Sequence, residues 1–245
     1  MGLFKKKAKT QPRQILINES SSKFDELGYT RLRDNIIYLS EAANYKVIQI
    51  ESSVPHECKT TVTANLGVSL GYTEKKVLLI DLDLRRPRLH RFFGLSKEVG
   101  IADYILGKID KKDIVKHTEF PNVDVITRGE DSTNPSLILI SEKLKNLIKE
   151  YKEEYDFILI DCAPILQVSD FIHISKLSDG VLLLAAFGMT TKVQLADAVK
   201  EIKKNKINLL GTVLTMYDKN KDRGYSNYGK YYAYNYGSYA DTNDK

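Results

Sequence analysis

Two short runs restrict the fold of this 245-residue chain more than any other feature. Val77-Leu78-Leu79-Ile80 and Phe157-Ile158-Leu159-Ile160 are apolar without alternation, and each ends in an acid, Asp81 and Asp161. A strand with one wet face alternates, whereas a strand buried on both faces of a helix-covered parallel sheet does not. The C-terminal ends of such strands are where open α/β sheets receive ligands. Further strand-like runs lie at 47–50, 120–127, 180–186 and 209–216. Amphipathic or small-residue helical patterns lie between or before them at 25–43, 62–72, 134–152 and 191–205. Strands alternating with helices predict an α/β fold with a doubly wound, mostly parallel sheet.

The stretch 47–61 reads V-I-Q-I-E-S-S-V-P-H-E-C-K-T-T. A short buried strand, a polar loop and a helix start form the order of a phosphate-binding loop, with outward backbone N–H groups and the positive helix end facing an anion. Lys59 supplies a point charge for β- and γ-phosphates, and the Thr60 hydroxyl suits Mg²⁺. The full pattern G-x-x-x-x-G-K-[ST] has Ser53 and Cys58 at its glycines, so this segment alone leaves an ordinary strand–loop–helix open. Asp81 and Asp83, two residues apart at one strand end, share a side if the strand continues, facing the loop that bears Lys59. With Asp161 at a second strand end, the joint pattern favours a nucleoside triphosphate and Mg²⁺.

Length and composition suit one large domain with short tails: an arm at 1–24, a domain at 25–218 that includes the helix 25–43, and a tail at 219–245. Both ends are expected to be flexible, the arm with one extended piece near 15–17. The net charge of +5 is modest, but Lys5, Lys6, Lys7, Lys9 and Arg13 concentrate at the start, where an anionic membrane surface, an acidic partner or plain solvation all fit. No run is long enough to span a bilayer and no signal-peptide core follows the basic start, so a cytoplasmic protein is expected, recruited to the membrane by a partner. Two cysteines, Cys58 and Cys162, exclude a disulfide framework, and the four scattered histidines suggest no metal cluster.

The tail changes character. Tyr225, Tyr228, Tyr231, Tyr232, Tyr234, Tyr236 and Tyr239 are separated only by Gly, Ser, Asn, Ala and Lys. Phosphorylation would add roughly −1.5 to −2 charges at each; a low-complexity tail or an aromatic binding surface remains open.

Together these segments resemble the bacterial tyrosine kinases of capsule and exopolysaccharide systems, specifically the cytoplasmic autokinase subunit. The resemblance rests on S-S-V-P-H-E-C-K-T-T-V-T-A-N-L-G, V-L-L-I-D-L-D-L-R-R-P, F-I-L-I-D-C-A-P-I-L-Q-V-S-D, G-I-A-D-Y-I-L-G, N-P-S and the tyrosine cluster, and it covers nearly the whole chain. It implies a MinD/ParA-like P-loop NTPase fold and ATP-dependent phosphorylation of the tyrosine tail of a neighbouring subunit in a ring. Ser53, Pro55, His56, Glu57, Cys58, Lys59, Thr60 and Thr61 would hold ATP, and Thr60 with Asp83 or Asp161 would hold Mg²⁺. Asp81 would accept or orient the tyrosine proton, in a role exchangeable with Asp83, while Arg85 and Arg86 neutralise charge. Implied partners are a membrane-embedded polysaccharide co-polymerase or modulator, other copies of the chain and a cognate tyrosine phosphatase, but no nucleic acid.

The chain departs from the family at His56 and Cys58, where glycines are expected, and at Cys162-Ala163-Pro164, where Thr-Pro-Pro is usual. Thr215 stands for an asparagine, and the contact motif E-x-x-R-x-x-R falls on Leu27, Thr30 and Arg33. These losses leave a weak or inactive nucleotide-sensing scaffold as the alternative, with a partition-type ATPase third. Cys58, beside Lys59 at a helix start, also suggests a reactive thiolate or a Cys58–Cys162 bridge closing the site.

Overall fold

The computed structural model describes residues 23–130 and 134–218. The extended piece at 15–17 and the tyrosine cluster lie outside them. The chain opens with α1 (Lys23–Ala43), β1 (Val47–Ser52), α2 (Lys59–Gly71) and β2 (Val77–Asp81). After short helical turns come α3 (Ile101–Ile105), β3 (Lys116–His117), β4 (Val123–Ile126), α4 (Pro135–Leu139), α5 (Glu142–Glu154) and β5 (Phe157–Asp161). It continues with α6 (Asp170–Ile174), β6 (Gly180–Ala186), α7 (Lys192–Lys204) and β7 (Leu209–Thr215). The seven strands lie in the order β3-β4-β2-β5-β1-β6-β7. Every pairing is parallel except β3 with β4 at one edge.

The apolar runs are central strands, and all residues of β1, β2, β5 and β6 are buried. Alternate residues feed two cores. Ile48, Ile50, Leu79 and Leu159 pack with α1 and α2 through Ile36, Val62, Leu66 and Leu70. Leu78, Ile80, Ile158 and Ile160 pack on the other face with α3, α4, α5 and α6 through Ile101, Ile138, Leu147 and Ile174. The helix expected at 25–43 packs on its own domain, burying Ile36 and resting Leu32 and Ile37 on the core. α2 approaches β2 so closely that a β-carbon on Gly67 would stand 2.5 Å from Leu79 Cδ2.

Local expectations fail where capping outweighs periodicity. The single helix expected at 134–152 is two, because the Ser141 hydroxyl accepts from the Lys143 N–H at 3.1 Å and starts α5 afresh. The strand expected at 120–127 shrinks to Val123–Ile126, since Asn122 turns the chain with φ of 60°. Among the described residues, no helix is long and apolar enough to cross a membrane.

Candidate functional site

Strand parity gathers the acids. Ser52, Asp81 and Asp161 alternate in phase with Ile50, Leu79 and Leu159, so they face the side of the sheet that carries α2. Asp81 and Asp161 are in register on adjacent strands. Both are buried. Asp81 Oδ2 accepts from the Arg88 and Leu89 N–H groups at 3.1 Å each, fastening the arginine-rich loop, while Asp81 Oδ1 and both Asp161 oxygens have no hydrogen-bond partner. Burial and the Asp161 charge raise Asp81 well above the usual carboxylate range. Burial likewise pushes Asp161 up to about 7, although Lys59 and Thr60 pull the other way. Two buried acids with orphaned oxygens demand a counter-charge.

The loop between β1 and α2 keeps the shape of a phosphate cradle without its glycines. His56 and Cys58 both adopt left-handed backbone, with φ of 69° and 65°. This region is open mainly to glycine, so the tertiary context imposes it here. Glu57 between them turns inward: its carboxylate accepts from the Val54 N–H at 3.1 Å and from the Thr190 hydroxyl. The Thr215 hydroxyl at the end of β7 donates to the Glu57 carbonyl at 3.2 Å. The loop is thereby tied to the turn between β6 and α7 and to the end of β7. Lys59 Nζ donates to Ser52 Oγ at 3.0 Å, folded back along the cradle.

A cavity of about 200 Å³ opens over this loop, lined by Pro55, His56, Cys58, Lys59, Thr60, Thr61, Asp83, Arg86, Arg88, Pro164 and Gln167. The expected residues Ser53, Glu57, Asp81, Asp161 and Arg85 are not on its wall. Ser53 is buried beneath the loop. Because β2 ends at Asp81, Asp83 does not continue its alternation; it lies in the following loop, where Oδ1 accepts from the Arg86 N–H at 2.9 Å and the side chain borders the cavity. Arg85 turns away to a two-point pair with the buried Asp170, at 3.0 and 3.3 Å, which holds its guanidinium above its ordinary pKa. Arg88, Pro164 and Gln167 were not anticipated. The resemblance points only to the first two arginines of R-R-P-R, and nothing in the spacing signals Gln167.

The cysteine bridge does not form. Cys162 packs in the core on the opposite face, and burial with Glu51 and Asp161 drives its thiol well above the ordinary range. Neither cysteine is in a disulfide. Glu51 is an unanticipated buried acid: on that same face and bonded to Gln49 at 2.5 Å, it is pushed by burial up to about 8.

A divalent cation fits the donors present. No group of three metal-ligating His, Cys, Asp or Glu side chains assembles among the described residues. Mg²⁺ characteristically takes one or two carboxylates plus phosphate oxygens instead of an all-protein cage. The orphaned oxygens of Asp161, next to Thr60, meet that requirement.

Comparison with known proteins bears on the fold and the family. A family model described as an AAA domain matches residues 45–211. The chain is 33% identical to the tyrosine-protein kinase YwqD of Bacillus subtilis (strain 168), over 94% of this chain and 97% of that protein. It is 32% identical to the tyrosine-protein kinase ptk of Acinetobacter johnsonii over 75% of this chain, but spans only 25% of that longer protein. Among solved structures, the BceF tyrosine kinase domain superposes with a TM-score of 0.77 at 29% identity, covering 84% of this chain and 83% of the other. The septum site-determining protein MinD of Pyrococcus horikoshii OT3, solved with Mg-ADP, gives a TM-score of 0.59 at 30% identity, covering 69% of each. The chain thus has the MinD-like P-loop NTPase fold, and it belongs to the bacterial tyrosine-kinase family.

Proposed function

We propose that this protein is an ATP-dependent tyrosine autokinase of an exopolysaccharide or capsule system, phosphorylating the tyrosine cluster 225–239 of a neighbouring copy. One observation carries the reading: a left-handed phosphate cradle persists at His56 and Cys58 although neither is glycine. Left-handed L-residues also turn the chain elsewhere, as at Glu74 and Lys206, but two of them flanking one residue in the loop between β1 and α2 make a turn whose backbone N–H groups can face an anion.

In this mechanism the backbone N–H groups of 56–60 and the α2 N-terminus bind the β- and γ-phosphates. Lys59 leaves Ser52 for the triphosphate, and Thr60 and Asp161 would hold Mg²⁺, which would supply charge neutralisation. Asp83, on the cavity wall, orients the incoming tyrosine hydroxyl and receives its proton. Asp81 positions the loop through the Arg88 and Leu89 amides, so it acts through Asp83's surroundings and not on the hydroxyl itself. Arg86 and Arg88 line the transfer path, while Arg85 braces the loop against Asp170. The copies assemble beside a membrane-embedded co-polymerase, which recruits the chain from the cytoplasm, and a phosphatase resets the tail.

Incubation with γ-labelled ATP and Mg²⁺ tests the reading. Phosphotyrosine within 225–239 is expected, with Lys59→Met abolishing it and leaving the circular dichroism unchanged. Release of free phosphate without phosphotyrosine indicates a partition-type ATPase, and neither product indicates a nucleotide-sensing scaffold.

A further inference from the structure

Beside the nucleotide cavity lies a second one of about 340 Å³, lined by Arg85, Arg86, Pro87, Arg88, His90, Arg91, Lys97 and Arg128. Its wall contains no acid. Arg85 is paired with Asp170, and Arg128 donates to the carbonyls of Gly129 and Leu84. The side chains of Arg86, Arg88, Arg91 and Lys97 form no ion pair among the described residues. His90 Nδ1 is buried in this wall without a partner. Burial and the neighbouring charges of Arg91, Lys97, Lys116 and Arg128 press the His90 pKa down to about 4. A concavity that keeps this many cations together, with an unsatisfied ring nitrogen, is arranged for a compact multivalent anion.

We propose that this pocket binds the dianionic phosphate of a phosphotyrosine already formed on the tail, separately from ATP. The identity of the occupant rests on the autokinase reading. The two cavities share Arg86 and Arg88 as a common wall. Tail tyrosines recur at close intervals, such as Tyr225, Tyr228 and Tyr231, a step of ~10 Å along an extended chain. A phosphotyrosine held behind that wall keeps its unmodified neighbours at the mouth of the transfer site, so the first modification promotes the next. Arginine suits the task because its planar fork takes phosphate oxygens in pairs.

The test uses the unphosphorylated full-length chain and synthetic peptides spanning 225–239, with Tyr232 either free or phosphorylated, so that binding does not depend on catalysis. The phosphopeptide is expected to bind at least about ten-fold tighter than its unmodified twin in the presence of saturating ATP-Mg²⁺, the effect of one charge-assisted contact pair. The double variant Arg91→Ala/Lys97→Ala is expected to erase that difference and leave ATP affinity unchanged. Occupancy is expected to raise the His90 pKa by NMR titration, a change that a purely structural cluster would not show. Equal binding of the two peptides overturns the proposal. Displacement of the phosphopeptide by ATP makes the pocket part of the nucleotide site, and inorganic phosphate binding as tightly as the phosphopeptide assigns it to the free ion; either result also overturns it. Intact peptide binding alongside failed autophosphorylation would remove the kinase reading alone.

Discussion

A β-carbon in left-handed backbone costs roughly 1–2 kcal/mol, and the phosphate loop carries this twice, at His56 and Cys58. Glycine removes that strain but adds about 0.5–1 kcal/mol of chain freedom to the unfolded state. His56→Gly and Cys58→Gly should therefore each stabilise the protein by up to about 1 kcal/mol in urea melts, and ATP affinity should hold or rise. The acid pair gives a second residue-level test. Asp161 titrates near 7 when folded against about 4 unfolded, so between those values the native state holds the extra proton. Asp161's share of the stability of the ligand-free protein then falls as pH rises from 4 to 7 and levels off above, while Glu51, raised to about 8, and Asp81 add declines of the same sign. Urea midpoints should show this decline, on the order of 2–4 kcal/mol at most. Asp161→Asn should remove that share and leave a shallower decline from Glu51 and Asp81, making the variant the more stable protein at pH 8. Sequence made Asp81 and Asp161 legible, because an acid that closes an apolar run stands where a buried strand reaches the ligand-binding edge of a parallel sheet. It did not separate Asp81 from Asp83, since that depends on where β2 stops alternating, which the loop amides of Arg88 and Leu89 decide.

At the scale of elements, the site depends on how closely α2 lies on β2. Gly67 faces Leu79 with no room for a side chain. Gly67→Val should lift the helix, cost about 1–3 kcal/mol in urea melts through overpacking and weaken ATP binding by calorimetry, since Lys59 and Thr60 ride on the first turn of α2. The small-residue character of that helix was readable, as were α7, capped by Thr191 with Gln194, and the central strands. The break between α4 and α5 was not. Leu139, Leu144, Leu147 and Ile148 keep an acceptable helical phase across it, while one serine hydroxyl sets the new start. The edge strand β3, two residues long, has no periodicity to read.

At the scale of the molecule, the autokinase reading puts catalyst and acceptor on separate stretches of chain. Truncation after Asp218 should abolish phosphotyrosine formation and leave Mg-ATP affinity unchanged by titration calorimetry; loss of both would mean that the tail completes the nucleotide site. In a sheet whose central strands all run one way, the C-terminal end of β7 lies at the same edge as those of β1, β2 and β5. Thr215 closes β7 and holds the carbonyl of Glu57, the residue between the two strained positions. The last described strand before the tyrosine-rich segment thus ends in a hydrogen bond to the phosphate loop. If the autokinase reading holds, any settling of that loop around a nucleotide reaches the end of β7, so loading with fuel and presentation of the acceptor would be joined by a single hydroxyl.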